Sequence, residues 1–253
     1  MRIGTTSYIY PDNIIPNAEK LCGLVDDIQL ILFEGKEFSN LPSEEDIGIL
    51  SGISSDSGLS YTVHLPIDLD ICSSDPEFRG FSLKRTLEIM ELTSPLNPTG
   101  FVIHLPRNSV ENELSWQAGA IESVSGIYDK FPIETLFIEN LSYPIKLLEP
   151  VINEFNSSMC LDISHAVRCG DNWREYYEKY FERIKVIHFY GPESDSEGHL
   201  GLQKADRSFV NDSIKTIVKS DFEGLLILEV FGETDFFESI KILKEELKKW
   251  QRE

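Results

Sequence analysis

Five histidines and a series of carboxylates recur at similar places along this chain of 253 residues. Seven short segments end alike, with two residues that are mostly apolar and then a polar one. They are Leu32-Phe33-Glu34, Thr62-Val63-His64, Val102-Ile103-His104, Phe137-Ile138-Glu139, Cys160-Leu161-Asp162, Val186-Ile187-His188 and Ile227-Leu228-Glu229. His165 follows Asp162 by three residues, and Glu197 and His199 lie in a polar stretch after His188. Imidazole and carboxylate without thiolate suit zinc, manganese, iron or cobalt. A lone histidine at a strand end is more often a hydrogen-bonded core residue, and a lone carboxylate there often caps a loop. A whole set is different, because carboxylates buried together cost much free energy unless cations accompany them. Four protein ligands fill one site, and three leave room for water. The series therefore suffices for two or three ions. Clustered ions favour hydrolysis of a phosphoester, since one makes hydroxide at neutral pH and another stabilises the leaving oxygen.

For these residues to meet, the segments that carry them must be parallel strands ending at one face. Eight β-rich runs are present: Arg2 to Ile9, Asp27 to Glu34, Ser60 to Pro66, Gly100 to Pro106, Thr135 to Leu141, Met159 to His165, Lys185 to Gly191 and Leu225 to Gly232. They are nearly continuous in apolar residues, as parallel strands with covered faces are. Helical periodicity appears between them at Phe81 to Leu92, Trp116 to Tyr128, Ile145 to Phe155, Phe209 to Val218 and Phe236 to Trp250. Asn172 and Glu175 resemble a capping box before the helix that starts at Trp173. Eight such alternations predict an α/β fold, a single (β/α)8 TIM barrel over residues 1–253. A doubly wound open sheet shares the alternation and is the rival. In a barrel the strand-end residues converge on the C-terminal mouth, where active sites lie. The long loop Pro192 to Asp206 reads as functional, not as a domain boundary.

Lys and Arg total 23 against 43 Asp and Glu, a formal charge of -20. That balance disfavours grip on duplex nucleic acid or on an anionic membrane surface. No run approaches the roughly 18 apolar residues of a membrane span. The opening MRIGTTSYIYPDN lacks the apolar core of a signal peptide. Four scattered cysteines without a CxxC pair read as reduced thiols. A cytoplasmic protein is expected.

The series His64, His104, Glu139, Asp162, His165, His188, Glu197, His199, Glu229 resembles the metal ligands of the xylose isomerase-like barrels, and within them the endonuclease IV branch with its three-zinc cluster. The resemblance spans nearly the whole chain. It departs at Glu197, where that branch usually has Asp. It implies a first ion held by His64, His104 and Glu139. A second would be held by Glu139 as bridge, with Asp162, His188 and Glu229, and a third by His165, His199 and Glu197. The ions implied are two or three zinc, with iron, manganese or cobalt as substitutes. Glu139 and Glu229 are the implied catalytic carboxylates.

The stretches MRIGTTSYIYPDNIIPN and DDIQLILFE are similar to those of the cobamide-remodelling phosphodiesterases of bacteria and archaea, a group of the same superfamily. This resemblance implies a phosphoric diester hydrolase that opens the nucleotide loop of a cobamide. The products would be cobinamide phosphate and an α-riboside. An acidic chain suits such a small-molecule substrate better than it suits the duplex substrate of an abasic-site endonuclease. The alternative is a sugar or sugar-phosphate isomerase or epimerase. That branch holds one ion with Glu139, Asp162, His188 and Glu229 and has no need of His104, His165 and His199 together. A non-catalytic metal- or corrinoid-binding protein would not be expected to keep the full set. Further candidates for substrate contact are Glu34, Arg107, Lys204 and Tyr8. Their ordinary readings are a loop cap, two solvated cations and a rim aromatic.

Overall fold

A computed structural model describes residues 1–35, 38–108, 112–192 and 198–250. Eight parallel strands close on themselves: β1 (Arg2–Thr6), β2 (Asp27–Ile31), β3 (Ser60–His64), β4 (Phe101–Ile103), β5 (Leu136–Glu139), β6 (Ser158–Asp162), β7 (Ile184–Phe189) and β10 (Leu225–Leu228). The pairing of β1 with both β2 and β10 makes a closed barrel and removes the open-sheet rival. Two short antiparallel strands, β8 (Gly191–Pro192) and β9 (His199–Leu200), form a hairpin on the loop after β7.

Helices cover the outside of the sheet: α1 (Ile14–Leu21), α2 (Glu44–Ser57), α3 (Pro76–Thr93), α4 (Glu113–Tyr128), α5 (Ile145–Glu154), α6 (Ile163–Arg168), α7 (Trp173–Lys179), α8 (Arg207–Lys219) and α9 (Glu233–Trp250). Side chains capping their free N–H groups fix several starts. Ser43 and Asp46 form a reciprocal capping box on α2, and Asp75, Asn112 and Asp206 cap α3, α4 and α8. Asn172 behaves differently from the sequence expectation. Its amide donates to the Glu175 side chain at 2.9 Å and makes no cap to the backbone of α7. Among the described residues no helix is long and apolar enough to cross a membrane.

The large core lies between sheet and helices, with strand residues such as Ile103, Ile138, Leu161, Ile187 and Leu226 facing outward into it. A second, smaller core of Val102, Phe137, Cys160, Val186, Leu225 and Ile227 fills the barrel interior. Strand side chains alternate between faces, so residues two apart share one. Two positions beyond Val102, Phe137, Cys160, Val186 and Ile227 come His104, Glu139, Asp162, His188 and Glu229. The fold therefore stacks an ionisable layer directly on an apolar plug, at the C-terminal end of the barrel.

The strands stop sooner than the apolar runs suggest. Leu65, Leu105, Leu141 and Val230 follow the strands as buried or partly buried residues on the departing loops. Burial continues where sheet pairing has ended, and hydropathy alone does not separate the two. His165 belongs to α6, which leaves β6 without a linker, because Asp162 is both the last strand residue and the cap of that helix.

Candidate metal centre

Glu139 lies at the middle of the mouth and is almost fully buried. Its two oxygens face different partners. Oε2 is 3.1 Å from His104 Nε2 and 3.3 Å from His64 Nε2. Oε1 is 3.2 Å from His188 Nδ1. On the second side, Glu229 Oε2 lies 3.2 Å from His188 Nδ1 and 3.3 Å from His199 Nε2. Three ligand groups result, His64–His104–Glu139, Glu139–Cys160–His188 and Glu139–Asp162–His188–Glu229, and Glu139 belongs to all of them. The Cys160 thiol was not expected here, and burial pushes it up to about 12, so it stays protonated beside the oxygen and nitrogen ligands.

Local hydrogen bonds orient these donors. His64 Nδ1 donates to the Leu65 carbonyl at 3.0 Å, so the lone pair at Nε2 faces Glu139. His165 Nδ1 donates to the Asn140 carbonyl at 3.1 Å and leaves Nε2 as its donor atom. The Asn140 amide forms a two-way bridge with the backbone of Asp162, both bonds 2.8 Å. Asn140 thus ties the ends of β5 and β6 together. From the far side of the barrel, Gln29 brings its amide to 3.0 Å from His188 Nε2. Sequence reasoning overlooked both amides. The available signals were a Gln inside the apolar run of β2 and an Asn directly after Glu139.

The electrostatics couple these buried groups closely. Burial drives Glu139 and Glu229 up, but the neighbouring histidines outweigh it and hold both carboxyls well below their usual range. Burial drives His188 down, but Cys160, Glu229 and Glu139 lift it well above the ordinary imidazole value. His199 is raised against burial by Glu229, whereas burial lowers His104 despite Glu139. Asp162 is pushed up to about 6 by burial, with Glu229 and Glu139 adding to the effect against His165. The buried carboxylates call for compensating positive charge, and a divalent ion would supply it.

The donor set fits such an ion. Asp162 Oδ2 is fully buried and accepts no hydrogen bond among the described residues, although it stands 3.7 Å from His165 Nδ1 and 4.0 Å from His188 Nδ1. A buried carboxylate oxygen without a donor is costly, and coordination removes that cost. His64, His104, Glu139, Asp162, His188 and Glu229, with Cys160 beside them, are the residues that could hold ions in the three groups. His165 and His199 stand to one side, ring centroids 6.4 Å apart. Glu197, expected to join them, lies outside the described residues.

Above the centre is a cavity of about 490 Å³. Phe33, Ile67, Pro106, Leu141 and Phe231 give it apolar walls, and Arg107 reaches its lining. Arg107 is the one of four substrate-contact candidates that lines this cavity. Glu34 instead pairs with Arg85 at 2.7 Å, Lys204 pairs with Asp235 at 2.8 Å, and the Tyr8 hydroxyl accepts from Asn40 at 2.9 Å. Tyr8 packs edge-on against Phe33 and so supports the wall from behind.

The model of the xylose isomerase-like TIM barrel family matches residues 24–253. The chain belongs to this family. No curated protein matches the chain in sequence. Among solved structures, this xylose isomerase-like barrel is similar to a D-tagatose 3-epimerase-like protein, with TM-score 0.86 and 19% identity over 100% of this chain and 99% of the other. Endonuclease IV from Thermus thermophilus gives 0.76 and 15%, over 98% and 100%. The IOLI protein with a binding zinc atom gives 0.74 and 12%, over 99% and 96%. Likenesses at this level of identity establish the shared fold and do not choose between chemistries.

Proposed function

We propose that this xylose isomerase-like barrel is a metal-dependent phosphoric diester hydrolase, and that its substrate is the nucleotide-loop phosphodiester of a cobamide. The observation that carries the reaction class is the division of Glu139, with Oε2 toward His64 and His104 and Oε1 toward His188. A carboxylate with its two oxygens turned to two different ligand groups could serve two ions at once. A pair of ions supplies a nucleophile at neutral pH and charge stabilisation for the leaving oxygen. His64 and His104 would hold an ion on one side of Glu139, Asp162, His188 and Glu229 would hold one on the other, and His165 and His199 flank the second group. Arg107 lines the cavity and would pair with a phosphate oxygen, and the apolar plug beneath the layer keeps bulk water from entering below.

The walls of the cavity favour a substrate with an extensive apolar body. Phe33, Ile67, Pro106, Leu141 and Phe231 offer no hydrogen bonds to sugar hydroxyls. The choice of a cobamide rests on the stretches Met1 to Asn17 and Asp26 to Glu34.

A single-ion sugar epimerase is the second reading. The complete Glu139–Asp162–His188–Glu229 group and the likeness to a D-tagatose 3-epimerase-like protein favour it. In that reading Glu139 and Glu229 would act on opposite faces of a bound sugar, one removing a proton and the other returning one to the far side.

Elemental analysis of protein purified without chelator, followed by incubation with cobalamin and separately with a ketohexose, decides between them. Two or three ions per chain with release of cobinamide phosphate and an α-riboside is the expected result. One ion per chain, with epimerised ketohexose and intact cobalamin, would overturn the proposal.

A further inference from the structure

Gln29 is an anomaly inside the barrel. It is fully buried on β2, at an inward position where most other strands carry Val, Phe or Ile. A buried amide without full hydrogen bonding is costly, so what it binds there matters. Its Nε2 faces His188 Nε2 at 3.0 Å, across the barrel, and its Oε1 accepts no hydrogen bond among the described residues. Two nitrogens that face each other make a hydrogen bond only if the imidazole nitrogen is bare. The proton would then sit on Nδ1, the atom that faces Glu139 Oε1 and Glu229 Oε2, each at 3.2 Å. A half-turn of the amide exchanges its ends within the same volume. Oε1 then accepts from His188 Nε2–H, and the orphaned acceptor is satisfied. Nδ1 is left with its lone pair directed at the carboxylates, as an ion ligand requires.

We propose that Gln29 is a positioning residue that fixes the tautomer of His188, accepting from Nε2–H so that Nδ1 is the ion-binding nitrogen. This inference rests on the reading of Glu139, Asp162, His188 and Glu229 as an ion site. It assigns Gln29 no contact with substrate. Its role is that of the hydrogen-bond acceptor behind a ligating imidazole, whose loss typically weakens metal binding about 10–100-fold.

Two variants separate this role from mere packing. Gln29→Met preserves length and volume but accepts no hydrogen bond. Gln29→Glu restores an acceptor, and a stronger one. Zinc affinity is measured by chelator competition on the full chain, and the His188 ring is observed by 1H–15N NMR in the zinc-loaded protein. Zinc binding is expected to weaken about 10–100-fold in Gln29→Met and to recover in Gln29→Glu. A downfield Nε2–H signal is expected in the wild type and in Gln29→Glu, shifted upfield in Gln29→Met. Undiminished affinity in Gln29→Met, or a Gln29→Glu variant no tighter than Gln29→Met, overturns the inference and leaves the metal centre standing. A wild type that takes up no zinc overturns the centre and the inference together. Zinc uptake without cobamide cleavage counts only against the proposed substrate.

Discussion

Asp162 accepts the backbone N–H of His165 at 2.6 Å through Oδ1, while its Oδ2 turns to the site and takes no hydrogen bond among the described residues. One carboxylate thus starts helix α6 and completes the ionisable layer at the mouth. The two roles are separable. Asp162→Asn keeps a capping oxygen but cannot ionise, and Asp162→Ala loses both. In metal-free protein the Asp162 carboxyl is raised to about 6, above the unfolded value of about 3.9. A raised acid favours folding while protonated, and that contribution is lost as pH rises through the folded value. Chelator-treated wild type is therefore expected to lose thermal stability relative to Asp162→Asn between about pH 4 and pH 6. Asp162→Ala is expected to fall below Asp162→Asn by about 1 kcal/mol at every pH, the usual loss of a cap. Melting curves followed by circular dichroism test both points, and identical pH profiles for wild type and Asp162→Asn would refute the first.

Glu139 and His104 make a sharper contrast in metal content. His104 belongs to one ligand group and Glu139 to every one of them, on both the His104 side and the Asp162 side. His104→Gln is expected to remove one ion per chain and Glu139→Gln two, by elemental analysis after gel filtration. Saturating zinc at about 100 times its dissociation constant should stabilise the wild type by about 2.7 kcal/mol per site. That gain should shrink in His104→Gln and vanish in Glu139→Gln. Equal ion loss in the two variants would mean that the two groups are not bridged by Glu139.

The convergence of ionisable residues at the barrel mouth was legible in the sequence because two simple regularities coincide there. Strand residues two apart share a face, and each strand of the barrel ends at the same level, so a polar residue after Val-Ile or Phe-Ile marks the mouth. The supporting amides were not legible. Asn140 and Gln29 act through partners 22 and 159 residues away, and an amide declares its role only through its partners. Helices α1 and α2 also escaped notice. The segment EEDIGILSGISSDS of α2 is poor in helix formers, and the Ser43–Asp46 box with burial of Ile47 and Leu50 holds it in place. The true strand ends were hidden because Leu65, Leu105 and Leu141 extend the apolar runs past the last sheet hydrogen bonds.

Close approach inside the barrel gives a prediction about the fold itself. Gly4 on β1 pairs in register with Asp27 on β2. A Cβ there would lie 2.8 Å from the Asp27 carbonyl oxygen and 2.5 Å from Ile227 Cδ1. The isoleucine can move, but the strand carbonyl cannot without disturbing the β1–β2 pairing. Gly4→Ala is expected to destabilise the protein by about 1–3 kcal/mol, the range for overpacked cores. Urea denaturation measures it, and an unchanged midpoint would show that the barrel accommodates a methyl group at this position.

Glu34 separates a structural ion pair from a substrate contact. Its Oε1 accepts from Arg85 Nε at 2.9 Å and its Oε2 from Ser39 Oγ at 2.7 Å, and Arg85 also binds Glu88 at 2.9 Å. These contacts tie the loop after β2 to α3, away from the cavity lining. Burial pushes the Glu34 carboxyl up, but Ser39 and Arg85 outweigh it and hold it below its ordinary value. A depressed acid contributes stability above its unfolded value of about 4.3, and the contribution disappears as pH falls through the folded value. The pair is partly exposed, so solvent screening limits it to under about 1 kcal/mol. Glu34→Gln is expected to melt slightly below wild type at pH 7 and to converge with it near pH 3, with kcat/KM for the phosphodiester unchanged within about twofold, since the lost pair touches no substrate. A stable Glu34→Gln protein with kcat/KM reduced more than about tenfold, the equivalent of a lost charged contact, would return Glu34 to the substrate site.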